Sequence, residues 1–168
     1  MKKLIKKSMK KKLLSFIMLF GMLLMGTSVK ADDVASAKEF FNNYVAKANA
    51  YSTDILNYYL PNAKIIRQVV VPDGTLVNAT TNMNVYSTQL RIGQATAKMR
   101  NYKNTYRNIT VTKVSNGYKV SAERQPSRET YWLKTYQILQ KQPNGEWKIA
   151  EELMQTKEQI FLKFADKK

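Results

Sequence analysis

The chain has no histidine and no cysteine, which limits the chemistry that its side chains can do. Without histidine it lacks the usual neutral-pH base, the commonest metal ligand and any Ser-His or Cys-His arrangement. Without cysteine it lacks a thiol nucleophile and a disulfide framework. Because no zinc, haem or di-iron ligand set can be assembled from the remaining residue types, we expect no metal and no cofactor. Proton transfer through carboxylates and tyrosines is the chemistry left open.

The last hairpin, YQILQKQPNGEWKIAEELMQT, holds the residues best suited to that chemistry. An Asn-Gly tip at residues 144 and 145 predicts four facing pairs: Gln142 with Trp147, Gln140 with Ile149, Ile138 with Glu151, and Tyr136 with Leu153. This register places Glu151 beside Tyr136 on the buried side of the hairpin, together with Trp147 and Ile149. A carboxylate withdrawn from water can exchange a proton without help from histidine. Glu151 and Glu152 then point to opposite faces, so they cannot form a catalytic carboxylate pair.

The preceding hairpin places Arg124 on an apolar row. Its Asn-Gly tip at residues 116 and 117 puts Ile109, Val111, Val120 and Ala122 on one side, with Arg124 at the end of that row. Two hypotheses remain open for Glu151. It either works as a buried acid or base, or forms a structural ion pair with Arg124 or lies at the sheet edge. The structural alternative is favoured.

The elements that must position these residues follow from periodicity and turn signals. Apolar residues from Val34 to Ala48 recur at helical spacing, and a short helical piece at 52–60 ends before Pro61. A strand, a Pro-Asp-Gly turn and a second strand follow to about residue 86, and residues 87–101 favour a helix. Alternating patterns with two Asn-Gly turns then predict four strands up to residue 156. The remaining residues form a short helix or a tail.

This order, together with the final hairpin and its Trp-Lys-Ile sequence, resembles the nuclear transport factor 2-like superfamily over residues 34–156. The resemblance implies an α+β fold in which a curved, mixed or antiparallel sheet wraps around N-terminal helices as a cone. Enzymes of the superfamily tend to use an Asp deep in the cone, often with Tyr or His. That pattern adds Asp54 to Glu151 and Tyr136 as catalytic candidates.

The N-terminus predicts export. Residues 1–12 hold seven lysines and no acid, and an apolar run from Leu13 to Gly26 follows, which is short for a membrane span. Val29 and Ala31 suit the small-residue positions before a cleavage site. We therefore expect a signal peptide at 1–31 and a single domain at 32–168 with a short C-terminal tail, in the periplasm or outside the cell. An uncleaved anchor is the alternative, whereas cleavage leaves no stable membrane anchor.

Removing residues 1–31 takes away eight of the 28 basic residues and none of the 12 acidic ones, which leaves a net charge of +8. The remaining basic residues are scattered singly, so a solvated surface is favoured over a nucleic-acid patch, and no nucleic-acid partner is expected.

Two functions fit these features. The first is an exported, non-enzymatic binding or interaction module of the cell envelope that docks a small apolar ligand or a protein partner. The second is a cone-pocket enzyme of isomerase or dehydratase type that uses a buried carboxylate and Tyr. For either function the expected ligand-contacting residues are Tyr44, Tyr136, Glu151 and Arg124. Apolar residues on both sides of the last two strands also predict a homodimer or partner contact through the sheet face.

Overall fold

The computed structural model describes residues 31–167 of the chain. Most of the predicted signal peptide, residues 1–30, lies outside this part. Two α-helices, two 3-10 helices and six strands follow one another in this order: α1 Ala31–Asn49, a 3-10 helix Thr53–Tyr58, β1 Tyr59–Val70, β2 Leu76–Thr81, α2 Met83–Met99, β3 Asn104–Val114, β4 Gly117–Pro126, β5 Leu133–Lys141, β6 Trp147–Thr156, and a 3-10 helix Gln159–Phe164. Within residues 31–167 no helix is long and apolar enough to cross a membrane.

The strands form one mixed sheet in the order β2-β1-β6-β5-β4-β3. The second and third strands in this order, β1 and β6, are parallel to each other, and all other neighbours are antiparallel. One face of the sheet packs against the helices and encloses the core, to which α1 contributes Ala37, Phe41 and Tyr44. This is the predicted α+β arrangement, and the predicted first helix, short helix and four-strand meander are confirmed.

The second α-helix begins earlier than its apolar spacing predicts. Helix α2 starts at Met83 and not near residue 87, because the Asn82 side chain accepts a hydrogen bond from the Val85 backbone N–H at 3.1 Å. Asn is among the preferred N-cap residues, since its side chain satisfies a backbone donor that the helix leaves free. The earlier start adds Tyr86 to the helix and buries it.

The final hairpin contains a bulge at Ala150. Near the tip of the hairpin Leu139 faces Ile149, and the next pair is Ile138 with Glu151. Between these two pairs β6 has one additional residue, Ala150, that has no partner on β5. Such an extra residue reverses which face the following side chains occupy. Leu139 and Ile149 are fully buried on the helix side of the sheet.

The bulge corrects the predicted register. The pairs Ile138–Glu151 and Tyr136–Leu153 are confirmed, whereas the two pairs nearer the tip are wrong by one residue. Lys141 faces Trp147, and Gln140 faces Lys148. As a result, Glu152 and not Glu151 shares the helix side of the sheet with Ile149. The row predicted to be buried is therefore divided: Trp147 and Ile149 pack against the core, whereas Tyr136, Ile138 and Leu153 lie with Glu151 on the opposite face of the sheet. Leu139, which was predicted on the other side, belongs to the core.

The β3–β4 hairpin has the predicted apolar row, with Val111 facing Val120. Gly117, which begins β4, has φ +144°, and a Cβ at this position would overlap the Leu139 carbonyl oxygen. Here glycine is required both by the backbone conformation and by the close approach of β5.

We expect Gly117→Ala to lower the free energy of unfolding by clearly more than about 1 kcal/mol, because the methyl group forces β4 and β5 apart. Urea titration measures the loss. Gly145→Ala is the matched control: Gly145 also has a positive φ, +87°, but a Cβ there meets open space. Equal losses in the two variants would contradict the role given to the β4–β5 contact.

Candidate functional site

A cavity of about 410 Å³ lies between the helices and the sheet. Helix α2 contributes six lining residues spaced as one stripe: Tyr86, Gln89, Leu90, Gly93, Gln94 and Ala97. The other walls come from α1, the two 3-10 helices and strands β1, β3 and β6. They include Tyr44, Ile55, Arg67, Tyr106, Met154 and Phe161. Most of this lining is apolar or aromatic, and Arg67 is its only charged residue among those described.

The carboxylate of Glu152 is buried beside this cavity. Its side chain is 1% exposed and accepts hydrogen bonds from four side chains. The Oε2 atom receives the Tyr44 hydroxyl at 3.0 Å, the Tyr59 hydroxyl at 2.7 Å and Gln137 Nε2 at 3.2 Å. The Oε1 atom receives Arg67 Nη1 at 3.1 Å. A buried carboxylate is stabilised when it has a counter-ion and several hydrogen-bond donors. Glu152 therefore holds the four donor side chains in position.

Three tyrosine hydroxyls form a chain that leads to Glu152. Tyr44 and Tyr59 are 2.8 Å apart at their hydroxyl oxygens, and Tyr59 and Tyr86 are 3.3 Å apart. Burial raises the pKa of all three hydroxyls, and the negative charge of Glu152 raises it further. The chain therefore consists of neutral hydroxyls that donate and accept hydrogen bonds, and tyrosinate is disfavoured.

Arg67 is held between Glu152 and the ring of Tyr86. Burial alone lowers the pKa of Arg67, but the carboxylate of Glu152, aided by the tyrosines, outweighs this effect and leaves the pKa raised. The guanidinium carbon lies 5.3 Å from the centre of the Tyr86 ring, which is a cation–π distance. Arg67 thus stays charged at the cavity wall, and its charge is balanced by Glu152.

A second polar group lies at the β3 end of the cavity. Arg124 is 4% exposed and donates from Nη1 to Asn104 Oδ1 at 2.7 Å and to the Tyr102 hydroxyl at 3.4 Å. Its Nη2 donates to the backbone carbonyl of Gln155 at 2.7 Å, while its Nε has no partner. Tyr102 and Asn104 both line the cavity, so Arg124 lies directly behind its wall.

The structure brings two of the predicted site residues to this cavity and separates the others from it. Tyr44 lines the cavity, and Arg124 supports its wall. Tyr136 and Glu151 are bonded to each other at 2.6 Å on the opposite face of the sheet, so they do not line the cone interior, and Glu151 does not pair with Arg124. Asp54 has a side chain that is 63% exposed and lies 3.6 Å from Lys47 at the surface.

Sequence reasoning missed Glu152, Arg67, Tyr59 and Tyr86. Glu152 was assigned to the wrong face because the alternation was extended through residue 150, where the bulge interrupts it. The Asn at position 82, an N-cap residue, was the signal that could have extended α2 back to Tyr86. No group of three or more His, Cys, Asp or Glu side chains that could hold a metal ion occurs in residues 31–167.

Comparison with known proteins gives similarity at the level of structure. No family model matches the sequence, and no curated protein matches it. A protein of unknown function from Pectobacterium atrosepticum is 16% identical with a TM-score of 0.55, covering 75% of this chain and 91% of its own. A nuclear transport factor 2-like protein with a cystatin-like fold from Novosphingobium aromaticivorans is 9% identical with a TM-score of 0.55, covering 76% and 83%.

A third similar structure is a candidate dehydratase of the nuclear transport factor 2-like family from Streptomyces avermitilis. It is 7% identical with a TM-score of 0.56, covering 74% of this chain and 95% of its own. Similarity at this level of identity concerns the fold, and the activity must be argued from the cavity itself.

Proposed function

We propose that this protein, which has the nuclear transport factor 2-like cone fold, is an exported binding protein whose cone cavity holds one small amphipathic molecule. The observation that carries this proposal is the cavity of about 410 Å³ with mostly apolar walls and a few polar groups. Sites for small molecules have this volume and this composition, because burial supplies affinity and the polar groups fix orientation. Export rests on the lysine-rich start and short apolar run of residues 1–31.

Binding is favoured over catalysis because of the state of Glu152. An isomerase or dehydratase needs a group that takes a proton from the ligand. The carboxylate nearest the cavity is only 1% exposed and is enclosed by the donors Tyr44, Tyr59, Gln137 and Arg67, which separate it from a bound ligand. The tyrosines are protonated hydroxyls, which suits them to orient a ligand by hydrogen bonds.

Gly93 provides the test of the cavity. It lies on the lining stripe of α2, and a Cβ added there meets no atom within 4 Å. We expect Gly93→Leu to fill part of the cavity and weaken binding of the neutral fluorescent amphiphile N-phenyl-1-naphthylamine by at least about tenfold, a loss of roughly 1.4 kcal/mol in affinity. The fold should be retained, because replacing a helical Gly stabilises a helix by about 1 kcal/mol.

The matched control is Ala95→Leu, which adds a similar side chain to the same helix at an exposed position outside the lining stripe. It should bind the fluorescent probe as the unaltered protein does. Fluorescence titration measures binding, and thermal unfolding checks stability. Equal binding by the unaltered protein, Gly93→Leu and Ala95→Leu would place the probe outside the cavity and contradict the proposal. Native mass spectrometry of the protein from its own host would identify a retained ligand.

A further inference from the structure

The two buried arginines at the cavity differ in how their charge is balanced. Arg67 has Glu152 at 3.1 Å as its counter-ion. Arg124, 4% exposed, makes no ion pair with any carboxylate in residues 31–167, and its three bonds go to a hydroxyl, an amide and a backbone carbonyl. A buried cation without a counter-ion is costly, and its positive potential is weakly screened inside a protein.

The cavity adds no negative charge to offset Arg124. None of its described lining residues is Asp or Glu. With Arg67 neutralised by Glu152, the unbalanced positive charge beside the cavity is that of Arg124. An anion in the cavity would therefore be stabilised, and a cation would be repelled.

The hydrogen bonds of Arg124 also determine which polar atoms remain for a ligand. Arg124 Nη1 donates to the Tyr102 hydroxyl oxygen and to Asn104 Oδ1, so it occupies acceptor atoms of both residues. What remains on the cavity wall is the O–H of Tyr102 and the Nδ2 amide donor of Asn104. Donors backed by a cation are suited to a carboxylate or a similar anionic oxygen.

We propose that the ligand is a small amphipathic monoanion, and that Arg124 is the positioning residue that sets this preference through Tyr102 and Asn104. The proposal rests on the proposed binding function and adds the charge class of the ligand. The apolar body of such a molecule would lie against residues such as Leu90 and Phe161, and its anionic group would lie at the β3 end of the cavity.

The test uses three naphthalene compounds of similar size, each competing with N-phenyl-1-naphthylamine on the unaltered protein. They are 2-naphthoate, 2-naphthylmethanol and 2-naphthylmethylammonium. The expected order of affinity is anion, then neutral compound, then cation, with the anion favoured over the neutral compound by at least about tenfold. Equal affinity of the anion and the neutral compound would overturn the proposal without any variant.

Arg124→Gln is expected to abolish the preference for 2-naphthoate and to leave the affinity for 2-naphthylmethanol within about twofold, since the charge of Arg124 adds little to the binding of a neutral compound. A residue with a merely structural role would change both affinities together. The matched control is Arg107→Gln, which removes the same charge from an exposed arginine bonded to Glu123 at 2.6 Å. The control should keep the preference.

Tyr102→Phe provides a milder variant if Arg124→Gln does not fold, because Tyr102 is 38% exposed and its replacement removes one hydroxyl, which accepts only a 3.4 Å bond from Arg124. It should reduce the preference for the anion at least about threefold, the loss of one charge-assisted bond. An unchanged preference in both Tyr102→Phe and Arg124→Gln would overturn the assignment. If the Gly93→Leu variant binds the probe normally, the proposed binding function is contradicted. If Gly93→Leu prevents probe binding but the three compounds compete equally on the unaltered protein, only the proposed preference for an anion is contradicted.

Discussion

Glu152→Gln is expected to destabilise the protein by about 3–5 kcal/mol, the usual cost of removing one partner from a buried ion pair. Arg67 would keep its charge without a counter-ion, since its side chain is only 16% exposed. The Gln amide group would also bring donors against the Tyr44 and Tyr59 hydroxyls, which already donate to this position. Urea titration monitored by tyrosine and tryptophan fluorescence measures the loss.

The neighbouring carboxylate supplies the matched control. Glu151 accepts a bond from the Tyr136 hydroxyl at 2.6 Å on the other face of the sheet. Glu151→Gln keeps an acceptor oxygen for that bond, so it should cost less than about 1 kcal/mol. Losses of equal size in Glu151→Gln and Glu152→Gln would contradict the bulge at Ala150, because the contrast depends on which of the two side chains is inside.

A double variant separates the unpaired charge from other effects. Arg67→Met combined with Glu152→Gln removes both charges and leaves an apolar side chain where the cation was. We expect the pair to be less destabilised than the sum of the two single variants, because neither charge is then buried alone. Simple additivity would show that the ion pair contributes no coupling and that the tyrosine bonds determine the loss.

The sequence was sufficient for the fold because the fold depends on repeated patterns. Several independent local signals agree with the nuclear transport factor 2-like arrangement. They are the helical spacing in α1, the Ser52 N-cap before the short 3-10 helix and the two Asn-Gly turns. An error at one position does not change such a pattern. Agreement among local signals is what a foldable sequence shows.

The site depends on single positions, and one of them was decisive. One extra residue, Ala150, moves Glu151 out of the interior and Glu152 into it. The sequence has no glycine at this bulge, so the bulge could not be predicted from the alternation of apolar and polar residues. The tyrosine chain could not be predicted from the sequence either. Tyr44, Tyr59 and Tyr86 come together only through the long-range packing of α1, β1 and α2 around Glu152.

The protein is expected to lose stability steeply above about pH 10. In the unfolded chain a tyrosine releases its proton near pH 10, whereas Tyr44, Tyr59 and Tyr86 have raised pKa values when folded. Above pH 10 the folded state therefore binds more protons than the unfolded state, so the free energy of unfolding falls as the pH rises. Three such hydroxyls contribute a slope of at most about 4 kcal/mol per pH unit, and stability below pH 10 is unaffected by them.

Urea titrations between pH 9 and pH 11.5 measure this slope, and absorbance near 295 nm shows whether the buried hydroxyls ionise only on unfolding. Other groups with raised pKa values, such as Lys141 beside Asp33, add to the fall, so the slope is compared between variants. Tyr86→Phe should reduce this slope by an amount that does not exceed the one-proton limit of about 1.4 kcal/mol per pH unit, and Tyr44→Phe with Tyr86→Phe should reduce it further. Tyr86 is the mildest site for replacement, because its hydroxyl lies at the end of the chain and contacts Tyr59 at 3.3 Å. If the slope is the same in both variants as in the unaltered protein, these hydroxyls titrate in the folded protein. That result would contradict the burial of the tyrosine chain next to Glu152.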